Sequence, residues 1–417
     1  MITFVNCVNT LKYNDYHSSI KKRIKTNNNC ENSKNLYELD KYAQMNKMFI
    51  SFKGIEKINN IYPKHTADNY SGCMLGAAIG DAFGKTVEYD SIDNIRETYG
   101  LKGITELMTP KGIAEISEDT QLSMFTADGI IKSAIRQNND DNMPDIRYVH
   151  DSYKDWMITQ QENYAPTQKG WISNIEDLYQ KRGYRLQCEK ALKSGKMGSI
   201  ERPINNIKGS DGVMRTAPAG LKYYKNPQIA FEAGARCAAI TNGSPAAYLS
   251  AGLYSAVIAN IIQGKDMKTA VDDSLKILKS YKDHEEILEL VEKAKKLAGS
   301  HLLERIAINK IGAGWNADEA VAIGIYAALK HPDDFKKAVL TSANHSGDSD
   351  TTAGITGGLV GAYIGEKQIP DDWKYKVEFC FELDEISRDL FTKASEIENS
   401  DKKYPLPVIK KKTSFFD

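Results

Sequence analysis

Three observations predict an all-α fold. Apolar residues recur at spacings of three and four, as in Val271, Leu275 and Leu278, or in Ile287, Val291, Ala294 and Ala298. Alternation of apolar and polar residues over five or more positions is hard to find, and no strand–helix–strand rhythm runs along the chain. At 417 residues the length admits one large domain or two to three smaller ones. Texture divides the chain into an N-terminal extension over 1–66, one large helical domain over 67–400 and a basic tail over 401–417 that includes Lys410-Lys411-Lys412.

Taken in order, the extension carries eleven Lys/Arg against five Asp/Glu, a net +6, with runs such as Lys21-Lys22-Arg23 and Asn27-Asn28-Asn29. Its low apolar density up to residue 40 predicts a loosely organised arm, and Tyr42 to Ile58 a short amphipathic helix. From Tyr70 the texture turns to small and apolar residues, Gly72-Cys73-Met74-Leu75-Gly76-Ala77-Ala78-Ile79-Gly80-Asp81-Ala82-Phe83-Gly84. Such glycine density within a helix implies close helix packing. Further helices are predicted over Gln121 to Ile135, Val149 to Gln161 and Gln228 to Ile240. Two more run over Ala247 to Ile262, stopped by Gly264, and Asn316 to Leu329, stopped by His331-Pro332.

The 55 basic and 55 acidic side chains cancel, so no global field draws the chain to nucleic acid or to a membrane surface. Six cysteines (Cys7, Cys30, Cys73, Cys188, Cys237, Cys380) are scattered without C-x-x-C pairs, which fits a reducing compartment. The first twenty residues hold no apolar signal-peptide core, and nowhere do about 18 apolar residues run together. The expectation is a cytoplasmic protein without a membrane span.

Three short motifs carry chemistry. Asn344-His345-Ser346-Gly347-Asp348-Ser349-Asp350-Thr351 places two carboxylates two residues apart, just before a small-residue helix running to about Ile364. Carboxylate and hydroxyl oxygens so spaced can converge on Mg²⁺, Mn²⁺ or Ca²⁺. Ser117-Glu118-Asp119-Thr120 also precedes an apolar run and offers the same oxygen chemistry. Read locally, each is first of all a helix cap, where Ser, Thr and Asp are favoured. Lys208-Gly209-Ser210-Asp211-Gly212-Val213-Met214-Arg215 starts as a glycine-rich loop whose amides can hold a phosphate, and read locally it is an ordinary turn.

The order and wording of these motifs resemble the ADP-ribosylglycohydrolases. The likeness runs from about Ser71 to Trp373 and includes Val87-Glu88-Tyr89, Phe125-Thr126-Ala127-Asp128-Gly129 and Ile240-Thr241-Asn242-Gly243-Ser244-Pro245 besides the segments above. The resemblance implies a single orthogonal helical domain and a hydrolase that removes ADP-ribose from modified proteins, most of its bacterial relatives acting on arginine. It also implies two Mg²⁺ or Mn²⁺ ions held by Ser117, Glu118, Asp119, Asp348, Asp350 and Thr351. Glu88, Asp119 and Asp350 would then be catalytic. Gly209, Ser210, Asp211, Gly212, Asn242, Asn344 and His345 would surround ADP-ribose. Glu118 stands where the family usually carries Asp, and Asn242 where a His is common. The basic extension suggests a second reading, in which the chain binds and blocks an ADP-ribosyltransferase toxin as an immunity protein.

Overall fold

Two glycine-rich segments almost 300 residues apart form one helix pair, on which the other helices pack. They belong to a computed structural model that describes residues 65–110, 112–167, 169–183 and 186–406. The basic extension up to residue 64, including the helix expected over Tyr42 to Ile58, lies outside the described residues, as does the chain after residue 406. In chain order the helices are α1 (Ala67–Lys85), α2 (Ile92–Tyr99), α3 (Glu118–Gln137), α4 (Ile146–Gln161), α5 (Leu186–Lys193) and α6 (Ala217–Lys222). There follow α7 (Pro227–Ala239), α8 (Pro245–Ile262), α9 (Met267–Leu278), α10 (Glu285–Ala298), α11 (Glu304–Ile311) and α12 (Ala317–Lys330). The last are α13 (Phe335–Ala343), α14 (Ser349–Ile364), α15 (Asp371–Lys374), α16 (Cys380–Phe391) and α17 (Ser400–Lys403). Among the described residues there is no strand, and the β-pairing consists of two isolated bridges, Ala114 with Val377 and Gly209 with Asn316. The fold is all-α, as expected.

Helix α1 runs antiparallel to α14. A Cβ at Gly72 would lie 2.4 Å from the Gly361 carbonyl oxygen, at Gly76 2.3 Å from that of Gly357, at Gly80 1.9 Å from that of Ala353, and at Gly84 2.1 Å from that of Ser349. The stripe is reciprocal, since a Cβ at Gly357 or Gly361 would sit 1.9 Å from the carbonyl oxygen of Gly76 or Gly72. Residues four apart share one helix face, so every fourth residue of α1 had to be glycine for the two backbones to touch. Polar ties seat α1 on its neighbours: Asn69 donates to the Ala362 carbonyl of α14 (2.8 Å), Tyr70 to the Leu221 carbonyl of α6 (2.7 Å) and Ser71 to Asp384 of α16 (2.7 Å).

Capping decides where several helices begin. The side chains of Ser117, Asp145, Asn226 and Asp266 accept from amides of the first turns of α3, α4, α7 and α9. This is why α3 starts at Glu118 rather than at Gln121. Helix α8 is long and apolar enough to cross a membrane, but 89% of it is buried inside the protein, where it packs among α6, α7, α9 and α14. The two periodic faces expected on α9 and α10 go to core, with Val271, Leu275, Leu278, Ile287, Val291 and Ala294 all buried. Tyr404, expected in the tail, is also buried and donates to Asp389 (2.5 Å).

A methyl group on the glycine stripe should separate α1 from α14. We expect Gly80→Ala to lower unfolding stability by about 3 kcal/mol in chemical denaturation, because close-packed backbones cannot yield by 1 Å without losing their neighbours. Gly299→Ala, where the new Cβ meets nothing closer than 3.8 Å, should change stability by less than about 0.5 kcal/mol. Equal effects at the two positions would contradict the packing account.

Candidate functional site

The antiparallel pairing brings the C-terminal end of α1 to the N-terminal end of α14, and so carries Glu88, three residues past α1, to Asp348 and Asp350. One carboxylate oxygen from each of the three lies within 4.8 Å of the others, with Glu88 half-buried and both aspartates fully buried. Asp348 occupies the N-cap position of α14 but makes no side-chain cap hydrogen bond. Its carboxylate instead accepts from the Ser210 hydroxyl. A capping role therefore does not account for this aspartate, while one does for Ser117, whose hydroxyl accepts from the Asp119 amide at 3.1 Å.

Helix α3 delivers the second acidic motif to the same place. Thr351 of α14 donates to Asp119 Oδ2 at 2.9 Å, joining the two motifs across 232 residues of sequence. Asp350 Oδ1 accepts from the Thr351 amide (2.8 Å). Both α3 and α14 end their N-terminal turns here, and the partial positive charge of those ends favours carboxylates. Glu118 is 3% exposed, and a Cβ at Gly183 would lie 1.6 Å from its Oε2. One methylene longer than aspartate, it extends toward the loop at Gly183 and is not among the three carboxylates that cluster within 4.8 Å.

Asp81 adds a carboxylate that the sequence motifs do not mark as functional. It is buried in the glycine stripe of α1 and accepts from the Ser117 amide through both oxygens (3.0 Å each) and from the Thr120 hydroxyl. Burial pushes its carboxyl above the ordinary range, against hydrogen bonds from Thr120 and Ser117 that favour the charged form. Its role is to hold the start of α3 on α1. The signal was a lone carboxylate in an apolar helix face, which must find donors when buried.

The Gly209–Gly212 loop forms a short 3₁₀ turn beside the acidic cluster. Its ties are the Ser210 hydroxyl on Asp348, the Ser210 amide on the Trp315 carbonyl (3.2 Å), and Asn242, which donates to Asp211 (2.7 Å) and the Gly209 carbonyl (3.4 Å). Trp315, also unremarked in the sequence, is 40% exposed and stacks on Tyr89, the neighbour of Glu88, with ring centroids 5.3 Å apart. Asn344 and His345 are engaged otherwise. The Asn344 amide accepts from the Ile104 N–H (2.8 Å) and donates to the Ile104 and Leu340 carbonyls (3.0 and 2.9 Å). His345 is buried between Thr352 Oγ1 (2.8 Å) and the Ser346 carbonyl (3.2 Å).

Three carboxylates at this spacing repel one another unless a cation or protons intervene. Among the described residues the donors that cluster here are carboxylate and hydroxyl oxygens, which suit a hard divalent cation better than a thiolate- or imidazole-seeking one.

Comparison with known proteins covers the stretch of chain that holds these residues. A family model described as ADP-ribosylglycohydrolase matches residues 63–399. The ADP-ribosyl-(dinitrogen reductase) glycohydrolase of Rhodospirillum rubrum is 22% identical over 321 residues, covering 76% of this chain and 92% of that protein. The human ADP-ribosylhydrolase ARH3 is 24% identical over 358 residues, covering 77% and 92%. The ADP-ribosylarginine hydrolase Tri1 of Pseudomonas putida is 21% identical over 339 residues, covering 81% and 82%. A solved structure described as an ADP-ribosylglycohydrolase-related protein complex superposes with a TM-score of 0.50 at 20% identity, covering 78% of this chain and 97% of that one. At that identity the superposition speaks for the fold.

Burial lowers His345 from an ordinary 6.5 to about 4. The native state thus keeps a neutral ring where the unfolded chain binds a proton, so stability from this group is present above pH 6.5 and is lost as pH falls toward 4. Following the His345 ring resonance by NMR should give a midpoint near 4, and a midpoint near 6.5 would contradict its burial.

Proposed function

The chain belongs to the ADP-ribosylglycohydrolase family and is a hydrolase that removes ADP-ribose, and on that premise we propose that it cleaves the bond between arginine and ADP-ribose in modified proteins with the help of two Mg²⁺ or Mn²⁺ ions. The observation that carries the reading is the meeting of Glu88, Asp348 and Asp350 within 4.8 Å, joined to the second acidic motif by the Thr351–Asp119 bond. The ligands would be Ser117, Asp119, Asp348, Asp350 and Thr351, with Glu118 a sixth oxygen donor if its carboxylate turns inward from Gly183. When bound, the ions supply Lewis acidity toward the ribose hydroxyls and water. The arginine linkage is supported by the Tri1 relative, whose name is ADP-ribosylarginine hydrolase.

The residues of the chain then divide the remaining work. Water adds to C1' as the C1'–N bond breaks, and the proton that water gives up passes to the departing guanidine nitrogen. Glu88 would move that proton, a role supported by its half-buried position beside both aspartates. The Gly209–Gly212 loop, tied to Asp348 through Ser210, would hold the diphosphate on its amides and so orient C1' over the acidic cluster. Asn344 and His345 are proposed to act by shaping the wall of the site, since the polar atoms described above are taken up by main chain and Thr352.

Incubated with Mg²⁺ or Mn²⁺ and a protein carrying ADP-ribosyl-arginine, the chain should release free ADP-ribose, and a chelator should stop it. Asp348→Ala and Asp350→Ala should each slow release by at least about a thousandfold, corresponding to several kcal/mol of transition-state stabilisation. Release from a different linkage only would overturn the arginine assignment. No release from any linkage would overturn the proposed mechanism as a whole.

A further inference from the structure

Arg215 is 0% exposed and, after Trp373, the largest side chain buried to that degree. It hydrogen-bonds to formally neutral groups, while the carboxylates of Asp211 and Asp119 favour its charge electrostatically. It donates to Thr241 Oγ1 (2.7 Å) and the Ala238 carbonyl (3.4 Å), approaches Cys188 Sγ at 3.8 Å, and lies 4.8 Å from the centre of the Tyr153 ring, while its Nε has no hydrogen-bond partner. Removing a guanidinium from water costs several kcal/mol when its donors are incompletely met, so core packing alone is a poor reason to keep one here.

What Thr241 does next supplies a reason. Its hydroxyl, having accepted from Arg215, donates to Asn242 Oδ1 (2.6 Å). The other end of the same amide donates to Asp211 Oδ1 (2.7 Å) and to the Gly209 carbonyl (3.4 Å). A continuous line of hydrogen bonds thus leads from the buried guanidinium to two residues of the glycine loop, Gly209 and Asp211. Behind Arg215 the line is braced, because Tyr153 of α4 shares a hydrogen bond with Thr126 of α3 (2.7 Å).

We propose that Arg215 is the positioning residue of the Gly209–Gly212 loop, acting through Thr241 and Asn242 to set the loop's amides for the diphosphate of ADP-ribose. The inference rests on reading that loop as the diphosphate seat. A planar guanidinium suits the task because its donors are fixed in one fork and it keeps its charge at every working pH. Asn242 suits the next link because one rigid amide accepts at one end and donates at the other. Without the Arg215–Thr241 bond the Asn242 side chain loses its fixed orientation, and the loop loses its outer tie while Ser210 still holds the tie to Asp348.

Calorimetric titration of ADP-ribose into the Mn²⁺-loaded full chain tests this, with Mn²⁺ titration into the metal-free chain as the second readout. Thr241→Val should weaken ADP-ribose binding about tenfold, the usual value of a hydrogen bond to a charged group. Its Mn²⁺ affinity should stay within about twofold, as the acidic cluster is untouched. Thr241→Ser, which keeps the hydroxyl, should bind ADP-ribose like wild type, and Arg215→Lys should behave like Thr241→Val. Wild-type affinity in Thr241→Val, a parallel loss of Mn²⁺ binding, or a failure of Thr241→Ser to restore affinity would each overturn the positioning role. Absence of ADP-ribose binding in the wild type would instead overturn the reading of the loop, and the inference with it.

Discussion

The backbone contact between α1 and α14 is the constraint on which the site depends. Because the two helices run antiparallel with four glycines of α1 seated against the α14 backbone, Gly84 meets Ser349, and the chain leaving α1 reaches Glu88 opposite Asp348 and Asp350. A larger residue at any of the four α1 glycines would push the axes apart and move Glu88 away from its partners. Asp81, on the same helix, fixes the start of α3 through Ser117 and Thr120. One helix therefore aligns both acidic motifs, and the 19 residues of α1 act as the frame of the site as much as part of the core.

Such a site is electrostatically costly by itself. Two fully buried aspartates beside a glutamate raise the energy of the folded chain, and the N-terminal ends of α3 and α14 offset only part of that, each on the order of 0.3–1 kcal/mol. A protein keeps such a cluster when something positively charged is meant to enter it. The same logic applies to the buried Arg215, whose charge is tolerated next to Asp211 and Asn242 rather than in the apolar interior of α8. Local strain of this kind is expected where function, not stability, selects the residues.

Much of this was legible in the sequence. Helical spacing placed α3, α4, α7, α8 and α12 with ends off by a few residues, and the glycine run predicted close packing without showing its partner. Ser117 illustrates why a local reading and a functional one need not compete, since it caps α3 and also belongs to the acidic motif. Asp348 sits at a cap position without serving it, a distinction that only the direction of a side chain reveals. The Thr351–Asp119 bond and the Glu88–Asp348–Asp350 cluster join residues more than 200 positions apart, which one sequence cannot pair. Asp81 and Arg215 stand within motifs, and only their buried hydrogen bonds give them a role. The hydrogen bonds of Asn344 and His345 to main chain and Thr352 are contacts for which the sequence held no signal.

The central claim, that the acidic cluster framed by α1 and α14 is a divalent-metal centre, is open to a direct measurement. Crystals of the chain soaked in Mn²⁺ should show anomalous difference density bonded to the carboxylates of Asp348 and Asp350 and adjacent to Asp119. Density confined to other carboxylates, or none at a Mn²⁺ concentration that supports turnover, would contradict the account.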